Sequence, residues 1–171
     1  MDCSGTEELL LAGLEEESIV DGPGLRFTVF VQGCPHHCPG CHNPQTHAFA
    51  GGQRMTVGQI LERFDEDPLL SGITLSGGEP FCQAAPLSAL AEQVHARGKT
   101  VVTYSGYTLE QLEQLAQTQP AVQRLLQQTD LLIDGPYVEA LRDLELHFRG
   151  SANQRLLDLT GWPETVQEAD L

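Results

Sequence analysis

Arg26-Phe27-Thr28-Val29-Phe30-Val31-Gln32 runs directly into Gly33-Cys34-Pro35-His36-His37-Cys38-Pro39-Gly40-Cys41. The first half is β-branched and aromatic and follows the turn Asp21-Gly22-Pro23-Gly24, so it predicts a buried strand. The second half places three cysteines within eight residues at C-x3-C-x2-C spacing, with no fourth cysteine nearby. A closed structural metal site wants four protein ligands. Three thiolates on one loop leave a coordination position open. The residues therefore point to a metal centre built to react, at the carboxyl end of a strand.

The chain around this junction alternates strand and helix signals. Leu9-Leu10-Leu11-Ala12-Gly13-Leu14 is a strand or a short helix, which periodicity does not decide. Thr56 with Gln59 forms a capping box, and Val57, Ile60, Leu61 and Phe64 mark the buried face of the helix behind it. Gly72 to Ser76 is a short strand, followed at once by Gly77-Gly78-Glu79-Pro80. Leu87, Leu90 and Val94 stripe a helix around 84–97, stopped by Gly98, and Thr100 to Tyr104 is the next strand. A second capping box, Thr108 with Gln111, opens a helix carrying Leu109, Leu112, Leu115 and Ala116. Pro120 breaks that pattern, a short helical piece covers 121–128, and Asp130 to Asp134 is a strand ended by Gly135-Pro136. Such alternation implies right-handed βαβ units and a parallel sheet, an α/β fold. In such folds ligands sit beyond the carboxyl ends of the strands. The cysteine loop, Gly77-Gly78-Glu79-Pro80, Ser105-Gly106-Tyr107 and Gly135-Pro136 all belong to that rim.

Composition bounds the function. At 171 residues with 40% hydrophobic residues, the chain makes one domain, here placed over 1–160, with an acidic tail over 161–171. A formal net charge of −15 excludes a phosphate-tracking surface, so no nucleic-acid partner is expected. No long apolar run or basic leader is visible, and five cysteines, three of them in one loop, do not make a disulfide framework. A soluble protein of the reducing cytoplasm, with no membrane partner, is the expectation.

Two chemistries fit the cysteine loop. Cys34, Cys38 and Cys41 would each ligate one iron of a [4Fe–4S] cluster, leaving the fourth iron free. Alternatively, His36, His37 or His42 would complete a Cys3His zinc site. Gly77-Gly78 would let a ligand approach the backbone, and Glu79 could accept from a cationic amine. Taken alone, that turn reads as an ordinary strand-to-helix connection, because Gly-Gly turns are common. Cys3 and Cys82 have no evident partner.

Taken together, these residues resemble the radical S-adenosylmethionine superfamily, which pairs a C-x3-C-x2-C loop after the first buried strand with Gly-Gly-Glu-Pro after a later one. The run Asp21 to Arg26, the Gly33-Cys34 start of the loop and Cys41-His42-Asn43 at its end resemble the glycyl-radical enzyme activases within it. One branch of these activates pyruvate formate-lyase, the other anaerobic ribonucleoside-triphosphate reductase. Pro39-Gly40 before the last cysteine, the run Arg149-Gly150-Ser151-Ala152-Asn153-Gln154-Arg155 and the short chain favour the reductase branch. The resemblance covers about 14–156.

It implies a partial (β/α) barrel of the radical S-adenosylmethionine type. It also implies a [4Fe–4S] cluster on Cys34, Cys38 and Cys41, with S-adenosylmethionine against Gly40, Cys41, His42, Gly77, Gly78 and Glu79. The implied partners are the large subunit of the anaerobic reductase and a flavodoxin or ferredoxin as reductant. His47 departs from the pattern, standing where related activases often have tryptophan.

Overall fold

The computed structural model describes residues 7–41 and 43–169. Their strands are β1 (Glu8–Ser18), β2 (Arg26–Val31), β3 (Gln53–Thr56), β4 (Gly72–Gly77), β5 (Thr100–Tyr104), β6 (Leu131–Asp134), β7 (Arg155–Asp158) and β8 (Gln167–Glu168). The helices are α1 (Val57–Phe64), α2 (Ala84–Ala96), α3 (Leu109–Ala116) and α4 (Pro120–Gln128). Both capping boxes are formed, with Thr56 and Thr108 accepting from the backbone N–H groups of Gln59 and Gln111.

One sheet holds all eight strands in the order β3-β1-β2-β4-β5-β6-β7-β8. Its centre, β2-β4-β5-β6, is parallel, as the alternating pattern predicts. The flanks are antiparallel, so the sheet is mixed around the expected parallel centre. The reason is in the connections. A parallel neighbour needs a crossover, usually an α-helix, whereas β1 reaches β2 through a short turn and only a single 3-10 turn, Glu139–Leu141, is formed between β6 and β7. The sheet runs from edge strand β3 to edge strand β8 and does not close. Residues 161–169, expected as an acidic tail, turn back along that edge and contribute β8, whose Gln167 and Glu168 oppose Asp158 and Leu157.

The steady order of the parallel strands puts all four helices on one face. Phe27, Val29, Val31, Ile73, Leu75, Val101 and Leu132 point into that face and meet Ile60, Leu87, Leu90, Leu112 and Leu125 in a continuous core. Alternate residues of the same strands face the other way. There a smaller cluster, Val102, Leu131, Ile133 and Leu156, is joined by polar side chains.

Arg26 is the largest of those polar groups and is fully buried. Its guanidinium donates to the Thr74 and Thr100 hydroxyls and to the carbonyls of Pro23, Ile73 and Thr100, at 2.8–3.0 Å. That uses all five of its N–H groups. Burial pulls its pKa down to about 10, so it stays charged at neutral pH. Arg26 is therefore a structural fastener across β2, β4 and β5, not a ligand-binding cation. Thr74 also donates to the Asp21 carbonyl, and the Asp21 carboxylate accepts from Ser18 and Thr28. The Asp21-Gly22-Pro23-Gly24 turn is thus folded onto the helix-free face.

Candidate functional site

The cysteine loop leaves the end of β2 and is fastened to the segment behind it. Gly33 N–H donates to the Thr46 carbonyl at 2.6 Å and Cys34 N–H to the His47 carbonyl at 3.1 Å. Gln32 reaches over to the carbonyls of Gln45 and Ala48. Within the loop, Cys41 N–H closes a turn onto the Cys38 carbonyl, and Asn43 N–H points at the Cys41 sulfur at 3.4 Å. All three loop cysteines are free thiols, with Cys34 buried and the other two partly exposed. Burial, ahead of the nearby Glu79 charge, holds the Cys34 thiol above its ordinary pKa.

The three cysteines line one cavity of about 530 Å³ on the helix-free face. Gly77, Gly78, Tyr104, Ser105, Gly106, Gly135, Tyr137, Phe148, Arg149 and Gln154 share its wall. The rim expected from the strand ends is therefore real, since the loops after β2, β4, β5 and β6 all reach this space. Tyr104 donates to the Phe148 carbonyl at 2.7 Å, which anchors the segment before Arg149, and burial pushes its hydroxyl pKa up. Gln154 and Asn153 bind the carbonyls of Gly135 and Pro136, joining the run from Arg149 to Arg155 to the end of β6.

Gly77 and Gly78 stand on the wall as expected, but their lack of side chains serves a second purpose. A Cβ on Gly77 would lie 2.5 Å from the Val31 nitrogen, and one on Gly78 2.2 Å from the Gly33 carbonyl oxygen. The turn after β4 packs directly on the turn after β2, and only glycine fits between them.

Glu79 departs most from its expected place. It is fully buried and is not on the cavity wall. Its carboxylate accepts from Phe81 N–H, Gly106 N–H and the Ser105 hydroxyl, and lies 2.6 Å from His36 Nε2. One carboxylate thus ties the cysteine loop, the β4 turn and the β5 turn together. In this arrangement its oxygens are engaged within the protein. Sequence missed this because the partners lie 43 and 26 residues away. Gly40, exposed and packed against the Glu139 side chain, is also off the wall. His42 and Cys3 lie outside the described residues. Cys82 is exposed on the 3-10 turn Pro80–Gln83.

A family profile for a 4Fe-4S single cluster domain matches residues 20–157. The anaerobic ribonucleoside-triphosphate reductase-activating protein of Salmonella typhi is 38% identical over 144 residues, 80% of this chain and 90% of that protein. The protein of the same name from Escherichia coli K12 is 37% identical over the same shares, and that of phage T4 is 36% identical over 80% and 86%. The chain belongs to this family of activating proteins.

Among solved structures, QueE from Escherichia coli aligns over 61% of this chain and 56% of its own at 15% identity, with a TM-score of 0.49. The stretch shared with the cluster-domain profile includes the cysteine loop, Gly77-Gly78 and the Asp134–Arg155 connection. Among the described residues, no three His, Cys, Asp or Glu side chains converge to hold a single metal ion. A cubane asks for something different: three thiolates facing one space, each taking its own iron. Three free thiols on one cavity wall fit that demand. No helix among the described residues is long and apolar enough to cross a membrane.

Proposed function

We propose that the chain activates an anaerobic ribonucleoside-triphosphate reductase, with Cys34, Cys38 and Cys41 holding a [4Fe–4S] cluster and S-adenosylmethionine seated beside it. The observation that carries this reading is the placement of three free cysteine thiols and the Gly77-Gly78 turn on one cavity wall. The family relationship supports the same target.

When bound, the cluster and S-adenosylmethionine supply one-electron reductive cleavage of the sulfonium and, through it, a glycyl radical on the large subunit of the reductase. The chain's own residues position and shield. Gly77 and Gly78 offer bare backbone to the methionine end of the ligand. Arg149 is the one arginine or lysine among the described residues of the wall and offers a carboxylate a cationic partner. Glu79 works from behind the wall, holding His36, Ser105 and Gly106 in register. Gly40 shapes the loop between the last two ligands, and His42 adjoins Cys41. The sheet, covered by helices on one face only, acts as a partial barrel around the reacting groups. The activase domain spans 1–160, with 161–171 as its terminal segment. A flavodoxin or ferredoxin of the cytoplasm supplies the electron.

Electron paramagnetic resonance after anaerobic mixing with reductant, S-adenosylmethionine and a partner tests this. A glycyl radical on the reductase and none on pyruvate formate-lyase is the expected result. A radical on the lyase alone overturns the target. Stoichiometric zinc without iron or sulfide in the purified protein overturns the cluster.

A further inference from the structure

The mouth of the cavity carries apolar side chains that stand mostly in solvent. The four most exposed large hydrophobics among the described residues are Leu69, Leu144, Ile19 and Val20, at 78%, 77%, 75% and 70%. Three of them, Leu144, Ile19 and Val20, are on the wall of the cysteine-lined cavity. A single exposed apolar side chain needs no explanation, but several gathered at one opening mark an interaction surface.

Both segments that carry them are fastened. Val20 N–H donates to the Ser18 hydroxyl at 3.4 Å, and that hydroxyl donates to Asp21 at 2.6 Å, which sets the turn between β1 and β2. The connection from β6 to β7 is closed by Asp143 N–H on the Gly150 carbonyl and by Ala152 N–H on the Leu141 carbonyl. Tyr104 holds the same connection through the Phe148 carbonyl. One segment lies beside β2 and the other beside β6, at opposite flanks of the parallel centre. The lip therefore has two halves, Ile19 with Val20 and, from the other flank, Leu144.

Charge narrows the occupant. Exposed carboxylates adjoin both halves: Glu15 and Glu17 before Ile19, and Asp143 and Glu145 on either side of Leu144. Glu16 is already paired with Arg63, and Arg142 is the one lysine or arginine in these two stretches. With a net charge of −15, a second copy of this chain is repelled. We infer that the lip of Ile19, Val20 and Leu144 docks the glycine-bearing segment of the reductase, through apolar side chains of that segment with lysine or arginine beside them. The inference rests on the function proposed above, which requires a partner glycine to reach the cavity. It adds where that segment is gripped and what chemistry it presents.

The test is glycyl-radical yield against reductase concentration, with cluster-loaded Ile19→Ser and Leu144→Ser. Each should raise the reductase concentration at half-maximal yield about tenfold, equivalent to about 1.4 kcal/mol, with the plateau retained. Leu69→Ser, as exposed but off the wall, should leave it unchanged. Added salt should weaken wild-type binding by screening the flanking carboxylates. Unchanged half-saturation in both lip variants overturns the inference, as does an equal rise with Leu69→Ser, a lowered plateau alone, or binding indifferent to salt. Sedimentation of the wild-type protein alone checks the rival occupant, and a dimer that Leu144→Ser dissolves also overturns the inference.

Should the lip variants lose their cluster, hydrogen exchange of the wild-type protein serves instead. Adding reductase should protect the amides of 19–20 and 143–146, and unchanged exchange there overturns the inference. Wild-type protein that yields no radical on the reductase strikes the proposed function itself, so the two failures are distinguishable.

Discussion

The two faces of the sheet are made by alternate residues of the same strands, yet they solve opposite problems. On β2, Phe27, Val29 and Val31 enter the helix-covered core, whereas Arg26 and Thr28 turn to the helix-free face. On β4, Ile73 and Leu75 alternate with Thr74 in the same way. The covered face is held mainly by apolar packing, and its few buried polar groups, such as Thr103 and Thr129, bond one another. The open face is held by hydrogen bonds that converge on Arg26 and Asp21, which leaves room above them for a cavity. Stability and chemistry are thus separated by the two-residue period of a strand, and each can be disturbed without the other.

The largest expected effect lies on the open face. Cys38→Ala should reduce iron content to background and activity by more than the roughly 10–100-fold that follows loss of a supporting group at a metal site. The thermal midpoint of the iron-free protein should barely move, which calorimetry beside iron analysis checks. A large fall in that midpoint would mean that the loop also carries the fold.

Leu125→Ala is the counterpart on the covered face. It should cost about 2–5 kcal/mol of stability in denaturant titration, while the folded fraction still binds its full iron. Glu79→Ala belongs to both faces. Loss of the carboxylate strands the Ser105, Gly106 and Phe81 donors and releases His36, so stability should fall by about 1–3 kcal/mol and iron loading should fall with it. Full loading at reduced stability would show that the cysteine loop holds its shape without Glu79.

The smallest effect concerns neither face. Arg155 bridges the buried Asp134 and the exposed Glu110, and its hydrogen bonds to Asp134 lead those that hold its pKa up. Glu110→Ala should cost no more than about 1 kcal/mol in the same titration, because solvent screens that half of the bridge. A larger loss would place Glu110 among the groups that hold the end of β6.

Much of the covered face is legible in the sequence. Its helices carry repeated apolar positions and two capping boxes, and its parallel strands are dense in β-branched residues. β3, β7 and β8 are not legible, because segments such as Gln53-Arg54-Met55-Thr56 are too short and polar to stand out from loops. β1 resolves as a strand because both β2 and β3 pair with it, and periodicity cannot register such partners.

The site divides in the same way. The three cysteines and Gly77-Gly78 are visible as motifs. The fastening of Arg26, the engagement of Glu79 and the apolar lip of Ile19, Val20 and Leu144 depend on groups brought together from distant segments. Glu79 was ambiguous for a physical reason: a carboxylate in a glycine-rich turn is equally suited to receive a ligand or to bind the turns beside it.

The Glu79 junction also has a consequence in time. The chain emerges from the ribosome N-terminal end first, so the three thiols exist well before Ser105 and Gly106. Until those two arrive, Glu79 lacks the donors that let it hold His36 in place. The cysteine loop is thus synthesised before the groups that brace it, so iron that reached it early would meet an unfinished site.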